Sequence, residues 1–252
     1  MIPAVAAVLL TVFLASCGGG GGGGEANGAF GTAAQAMATP DASSPKGQDA
    51  AIPRKTADAS LCTVEIYGDS IMAFNGTALT PAMTLQLFRP NLLVVADHSV
   101  GGMSLAELAP AFPGLTRSAH FVIIENGVID AWQARDINTV ISEYYAILQK
   151  VRDEGRVPVL TGFSRQSRGG ELNSFQVQIR DFYDAILQAI ATNTNTTFAD
   201  WGSVPFFGVW DLRDFVHPNK NYSDRLIFKL ALTLDTLTAN CTDALVPAAS
   251  SG

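Results

Sequence analysis

Charge is scarce in this chain, and positive charge scarcer still. Only 15% of the 252 residues are Asp, Glu, Lys or Arg, and 16 basic against 23 acidic side chains leave a formal net charge of −7. Globular chains carry about a quarter charged residues, so a large core or an apolar appendage is expected. The acidic balance argues against nucleic acid or anionic lipid as the main partner, since both need a basic face. Disorder throughout is excluded, because 48% of the residues are hydrophobic and disorder needs low hydrophobicity with high charge. No G-x-x-x-x-G-K-[ST] phosphate loop is present. Histidine and cysteine number three each, few enough for each to be weighed singly.

Long apolar runs are also missing. The longest, Ile2 to Leu14, falls short of the about 20 residues that span a bilayer and fits the apolar region of an export signal. Leu14-Ala15-Ser16-Cys17 resembles the lipobox of bacterial lipoproteins. That resemblance implies a signal peptide over 1–17, lipid on the Cys17 thiol, and a bilayer as partner. With Gly18 next, the outer membrane facing the periplasm is the expected address. Gly18 to Gly24 are all glycine; no strand precedes them, so they are no dinucleotide fingerprint. From Gly18 to Ala59 large apolar residues are nearly absent. Such a segment cannot offset its ordering entropy and reads as a flexible linker. One domain over 60–245 is expected, then a disordered tail over 246–252.

Within that domain five short apolar runs read as strands: Thr63–Gly68, Leu92–Ala96, Phe121–Ile124, Val157–Thr161 and Thr196–Ala199. They are nearly continuous rather than alternating, as in a parallel sheet covered on both faces. Helical spacing lies between and after them: Ile137 to Val151, Phe175 to Ile190, Leu226 to Leu237, and a shorter helix over Thr80 to Phe88. Alternation of this kind predicts an α/β fold, a three-layer α/β/α sandwich around a five-stranded parallel sheet. In that order Cys62, before the first strand, and Cys241, after the last helix, both fall at the amino edge. A disulfide between them is compatible with export; two buried thiols are the alternative.

Chemistry-bearing residues gather at the opposite edge. Ser70 follows the first strand in Gly68-Asp69-Ser70, where Asp and Ser could equally cap a helix. Asp214-Phe215-Val216-His217 precedes the last helix. A serine is a weak nucleophile until a base takes its proton, and the imidazole needs an orienting acid. An Asp three residues before a His can supply that acid. His120 precedes the third strand and belongs at the wrong edge. His98 follows the second strand and either lines the site or is an ordinary loop residue. Gly101-Gly102 could turn backbone N–H groups toward a developing oxyanion. A G-x-S-x-G elbow at Ser104 lacks its last glycine, and a metal site from Asp211, Asp214 and His217 lacks further ligands; no metal or cofactor is expected. Trp201, Phe206, Phe207, Trp210 and Trp132 read mainly as packing, with one or two walling a pocket.

Gly68-Asp69-Ser70, the Gly102 segment, Gly127-Val128-Ile129-Asp130 and Asp214-x-x-His217 resemble, in order, the blocks of the SGNH/GDSL hydrolase superfamily. The resemblance spans about Thr63 to Leu237. It implies a flavodoxin-like sandwich and metal-free hydrolysis of esters or thioesters. By position, Ser70 would be nucleophile, His217 general base and Asp214 its orienting acid, with the Ser70 and Gly102 N–H groups in the oxyanion hole. The third block departs from the family: Ile129 stands where an Asn usually donates a third oxyanion hydrogen bond. Losing such a donor typically costs about 10²–10³ in rate. Asn126 or Asn75 could replace it, or the ester could be an activated one. The expected protein is a monomeric, lipid-anchored serine esterase acting on a small-molecule or glycan ester. The alternative is a catalytically impaired envelope protein binding a glycan or a partner.

Overall fold

The computed structural model describes residues 62–238. The expected signal peptide and Cys17, the linker over 18–59, Cys241 and the tail over 246–252 lie outside the described residues. Five strands, β1 (Thr63–Tyr67), β2 (Leu93–Asp97), β3 (Phe121–Ile124), β4 (Val157–Thr161) and β5 (Thr197–Ala199), form one sheet in the order β2-β1-β3-β4-β5. Every pairing is parallel. Seven helices connect or follow them: α1 (Ser70–Ala73), α2 (Pro81–Phe88), α3 (Leu105–Ala111), α4 (Val128–Trp132), α5 (Ile137–Asp153), α6 (Ser174–Asn193) and α7 (Lys220–Asp235). The sandwich expected from the alternation is present. No described helix is long and apolar enough to cross a membrane.

Strand alternation sorts the core into two layers. Val64, Ile66, Phe121, Ile123 and Val159 point to one face and pack with Leu85 of α2 and with Leu226, Leu230 and Leu234 of α7. Val122, Ile124 and Leu160 point to the other and meet Leu108 of α3, Leu148 of α5 and Leu187 of α6. Helical spacing in α5 buries Val140, Tyr144, Ile147, Leu148 and Val151, the stripe that periodicity marked. Cys62 is fully buried in the first layer, just before β1.

Three helices escaped the sequence reading. α1, α3 and α4 are four, seven and five residues long, too short to develop a periodic stripe. α7 also begins at Lys220 rather than near Leu226, because Asn219 caps it by accepting from the Tyr222 N–H. The sheet order puts β1 and β3 side by side with their chains leaving in opposite directions. In an open parallel sheet this switch point at the carboxyl edge is where ligands bind.

Leu230 is fully buried between α7 and the sheet. Leu230→Ala is expected to lower unfolding free energy by about 2–5 kcal/mol, read from chemical denaturation monitored by circular dichroism.

Candidate active site

Ser70 is the first residue of α1, and Asp69 is its N-cap, accepting from the Ile71 N–H at 2.8 Å. Capping and presentation of the serine are therefore one feature, not alternatives. Gly68 makes the turn possible: a Cβ there would stand 2.7 Å from Met72 Cβ, closer than real side chains approach. Ser70 Oγ lies 2.9 Å from His217 Nε2, and His217 Nδ1 lies 2.9 and 2.8 Å from the two Asp214 oxygens.

The loop carrying Asp214 and His217 is closed at its base. Leu212 bridges Pro218, and Arg213 N–H donates to the His217 carbonyl at 2.8 Å. Asn219, the α7 cap, also donates from Nδ2 to the Trp210 carbonyl at 2.7 Å. Phe215 at the loop tip has φ +69°, a strained value for a non-glycine residue that neighbouring structure must hold in place. Gly169 and Gly170 lie against its ring, and Ser167 N–H donates to its carbonyl at 3.0 Å. Burial would raise the Asp214 pKa, but the His217 N–H, the imidazole and the Val216 N–H outweigh it and hold the carboxyl below its usual value. Asp214 is thus an anion facing the imidazole, able to fix its orientation and stabilise its positive charge. The arrangement can take a proton from the Ser70 hydroxyl.

Gly102 has φ +82° and open space where a Cβ would be. A Cβ on Gly101 would lie 4.0 Å from Ser70 Cβ, so this turn borders the serine. The N–H groups of Ser70 and Gly102 bond to no other described residue and can receive an oxyanion. Asn126, the further donor that the sequence reading allowed, is 1% exposed and uses one of its two Nδ2 hydrogens within the turn. Its Nδ2 donates to the Met103 carbonyl at 3.0 Å, so the buried amide braces the glycine turn from behind. Asn75 is likewise committed, donating to the Leu79 carbonyl and accepting from Thr77. Ile129 packs against the second core layer.

Asp130 belongs to the same bracing. It is fully buried and accepts from the Leu105 and Ala106 N–H groups at 2.6 and 3.1 Å, while Arg135 pairs with it at 2.5 Å. It thereby satisfies the N-terminus of α3, the helix that follows the glycine turn. Ser104 is the α3 N-cap, in a reciprocal capping box with Glu107, and is no nucleophile. This brace is not legible in the sequence because Asp130 and the α3 N-terminus it caps lie about 25 positions apart.

The remaining candidates fall away from the serine. His98 pairs with the buried Glu65 at 3.0 Å and stacks on Tyr67. Burial would raise the Glu65 pKa, but the Tyr67 hydroxyl, the Ser118 and Ala119 N–H groups and His98 outweigh it and lower it. His120 packs edge-on against Phe121, and burial beside Arg156 lowers its pKa. Trp201 is fully buried, Phe206 lies against Tyr222, and Trp132 donates to Gln166. Trp210 and Phe207 are 84% and 65% exposed, so these two are the ones that do not pack in the core. No group of three or more His, Cys, Asp or Glu among the described residues could hold a metal ion.

No protein-family model and no curated protein matches the chain. Solved structures match by fold. The crystal structure of TesA superposes with a TM-score of 0.57 at 22% identity, covering 69% of this chain and 99% of its own. The psychrotrophic esterase EstA from Pseudoalteromonas sp., solved inhibited by monoethylphosphonate, gives 0.55 at 16% identity, covering 71% and 99%. A member of the lipolytic protein G-D-S-L family from Veillonella parvula gives 0.51 at 14% identity, covering 69% and 98%. The chain shares the fold of the SGNH/GDSL hydrolases.

Asp130→Ala would leave two α3 N–H groups without their acceptor, while Arg135 keeps its pair with Glu143. The expected cost is about 1–3 kcal/mol of unfolding free energy, measured by urea denaturation at neutral pH.

Proposed function

We propose that this chain is a serine ester hydrolase that cleaves carboxylic esters through Ser70, His217 and Asp214. The observation that carries the reading is the hydrogen-bonded line from Ser70 Oγ through both ring nitrogens of His217 to the Asp214 carboxylate. In the proposed reaction His217 takes the hydroxyl proton as Ser70 attacks the ester carbonyl. The oxyanion forms against the N–H groups of Ser70 and Gly102. His217 returns the proton to the departing alkoxide, leaving an acyl-enzyme and a free alcohol. Water, deprotonated by the same imidazole, then releases the acid and restores Ser70. Without an Asn at position 129, stabilisation rests on two backbone donors, which favours esters with good leaving groups. The likeness to structures named esterases and lipolytic proteins supports the same reading.

Ile129 also motivates a second reading, an envelope protein with this fold that binds a glycan or partner and turns over nothing. One experiment separates the two. Wild type is expected to take up a fluorophosphonate with the matching mass gain and to hydrolyse a chromogenic short-chain ester, whereas Ser70→Ala does neither. His217→Ala should lose at least about 10³-fold in kcat. Wild type that neither labels nor turns over sinks the esterase reading and leaves the binding one.

The proposal extends to location: export and anchoring of the domain through lipid on Cys17, with the linker over 18–59 as tether and Cys62 paired with Cys241. Cys17→Ser is expected to abolish membrane attachment, followed by fractionation and intact mass, and a thiol count on denatured unreduced protein should find neither Cys62 nor Cys241 reactive. Unchanged attachment and mass would sink the anchor, and two reactive thiols the disulfide.

A further inference from the structure

Two carboxyl groups that the proposed reaction does not use adjoin Ser70. Asp69 and Glu125 are 0% and 1% exposed. Asp69 Oδ1 accepts from the Ile71 N–H at 2.8 Å, and Glu125 Oε2, at the end of β3, accepts from the Asp69 N–H at 2.9 Å. These two bonds hold the backbone on either side of Ser70. The two side chains are also in hydrogen-bond contact with each other. Their other oxygens, Asp69 Oδ2 and Glu125 Oε1, meet no N–H or O–H donor among the described residues.

Two ionised carboxylates offer acceptors only and cannot hydrogen-bond each other. Placed together out of water without a cation, they repel and each bears the cost of desolvation. One proton between them removes both difficulties: it supplies a donor to the oxygens that lack one and leaves a single buried charge.

We infer that Asp69 and Glu125 share one proton, and that the pair is a positioning device setting the Ser70 turn for the ester hydrolysis proposed above, on which this inference rests. The Ser70 N–H, one of the two remaining oxyanion donors, lies between the two backbone bonds the pair makes. Glu125 also adjoins Asn126, whose amide holds the turn containing the other donor, Gly102. The pair therefore registers the two donor loops against each other. Gly68 leaves room for it, since a Cβ there would stand 3.0 Å from Glu125 Oε2.

Burial raises both carboxyl pKa values; Asp69 raises that of Glu125 further, whereas the Ile71 N–H and the Glu125 carboxyl partly lower that of Asp69, so the proton resides on Glu125 first. The titratable groups facing the pair are Asp130 of α4, which disfavours a charge on Asp69 and is itself paired with Arg135, and Tyr144 of α5, whose hydroxyl is pushed upward by burial first and then by Asp130, Glu125 and Asp69. Because folding raises these pKa values, the contribution of the pair is complete below the unfolded carboxyl range of about 4 and is lost as pH rises through the folded values. Loss of the last proton leaves two facing anions beside the Ser70 turn.

The test uses the full chain. Wild type in D₂O near neutral pH is expected to show an infrared carboxylic-acid C=O band that Glu125→Gln removes. Glu125→Ala should lower kcat on a chromogenic ester about 10²-fold, the size of one lost oxyanion donor, with KM nearly unchanged. Glu125→Gln can still accept from the Asp69 N–H and donate to the Asp69 carboxylate. It should recover most of that loss and lack the alkaline fall in kcat that wild type shows as the pair loses its last proton. A merely structural role would change the folded fraction and leave the pH profile alone. Absence of the band from wild type, or an alkaline limb identical in wild type and Glu125→Gln, overturns the inference. Should Glu125→Gln not fold, the wild-type band and the pH profile of Asp69→Asn decide in the same way. Wild type that takes no fluorophosphonate fails the esterase reading itself, whereas labelled wild type with an unaltered profile fails only this inference.

Discussion

The hydrogen bond between Ser70 Oγ and His217 Nε2 joins residues 147 positions apart, and most of the architecture can be read as the means of making it. Ser70 is carried by the turn out of β1 and His217 by the loop into α7. Both stand at the carboxyl edge because every strand is parallel and every crossover must return to the opposite edge before the next strand begins. The central position of β1, between β2 and β3, then puts the loops after all three strands around one serine.

Around that contact the structure places buried polar side chains on backbone groups of neighbouring turns. Glu125 holds the Asp69 N–H, Asn126 holds the Met103 carbonyl, and Asp130 holds the start of α3. All three lie on the short segment from the end of β3 through α4, so one stretch of chain reaches the turns after both β1 and β2. A buried carboxylate or amide is costly unless its hydrogen bonds are made. Once made, those bonds hold neighbouring backbone rigidly, which is what preorganised N–H donors require. Ile129, on the same segment, packs against the second core layer instead.

The Asp214–His217 loop is held differently, by hydrogen bonds at its base and by packing around its strained tip. Phe215 in the left-handed region sits between the glycine pair at 169–170 and the residues that bind the imidazole. Arg213, just before Asp214, lies over the ring of Phe74, just after α1. The segment that presents the serine and the loop that presents the histidine therefore touch through a cation–π contact outside the hydrogen-bonded line. Exposed Trp210 and Phe207 precede this loop, leaving aromatic surface on the approach to the strained tip.

The sequence by itself determined the elements whose signals are local. Five apolar runs marked the strands, the stripe in α5 marked most of its buried face, and the glycine–serine turn and the Asp-x-x-His spacing marked the candidate site residues, because each is written within one turn or one strand; in α6 the spacing misled, since Phe175 and Phe182 are exposed while Leu187 is buried. What only the tertiary structure decided is which polar groups meet across loops. Asn126 stands in the sequence only as a candidate donor, and that it braces the Met103 carbonyl of a different loop is seen only in the structure. Asp130, in sequence only one member of a block, caps the distant α3, and His98, which the sequence left as either site-lining or a loop residue, pairs with Glu65. Glu125 carries no motif at all, yet its carboxyl lies against Asp69. Such pairings are set by the order of strands in the sheet, which brings residues far apart in the chain to one edge, and no periodicity or spacing along the chain records them.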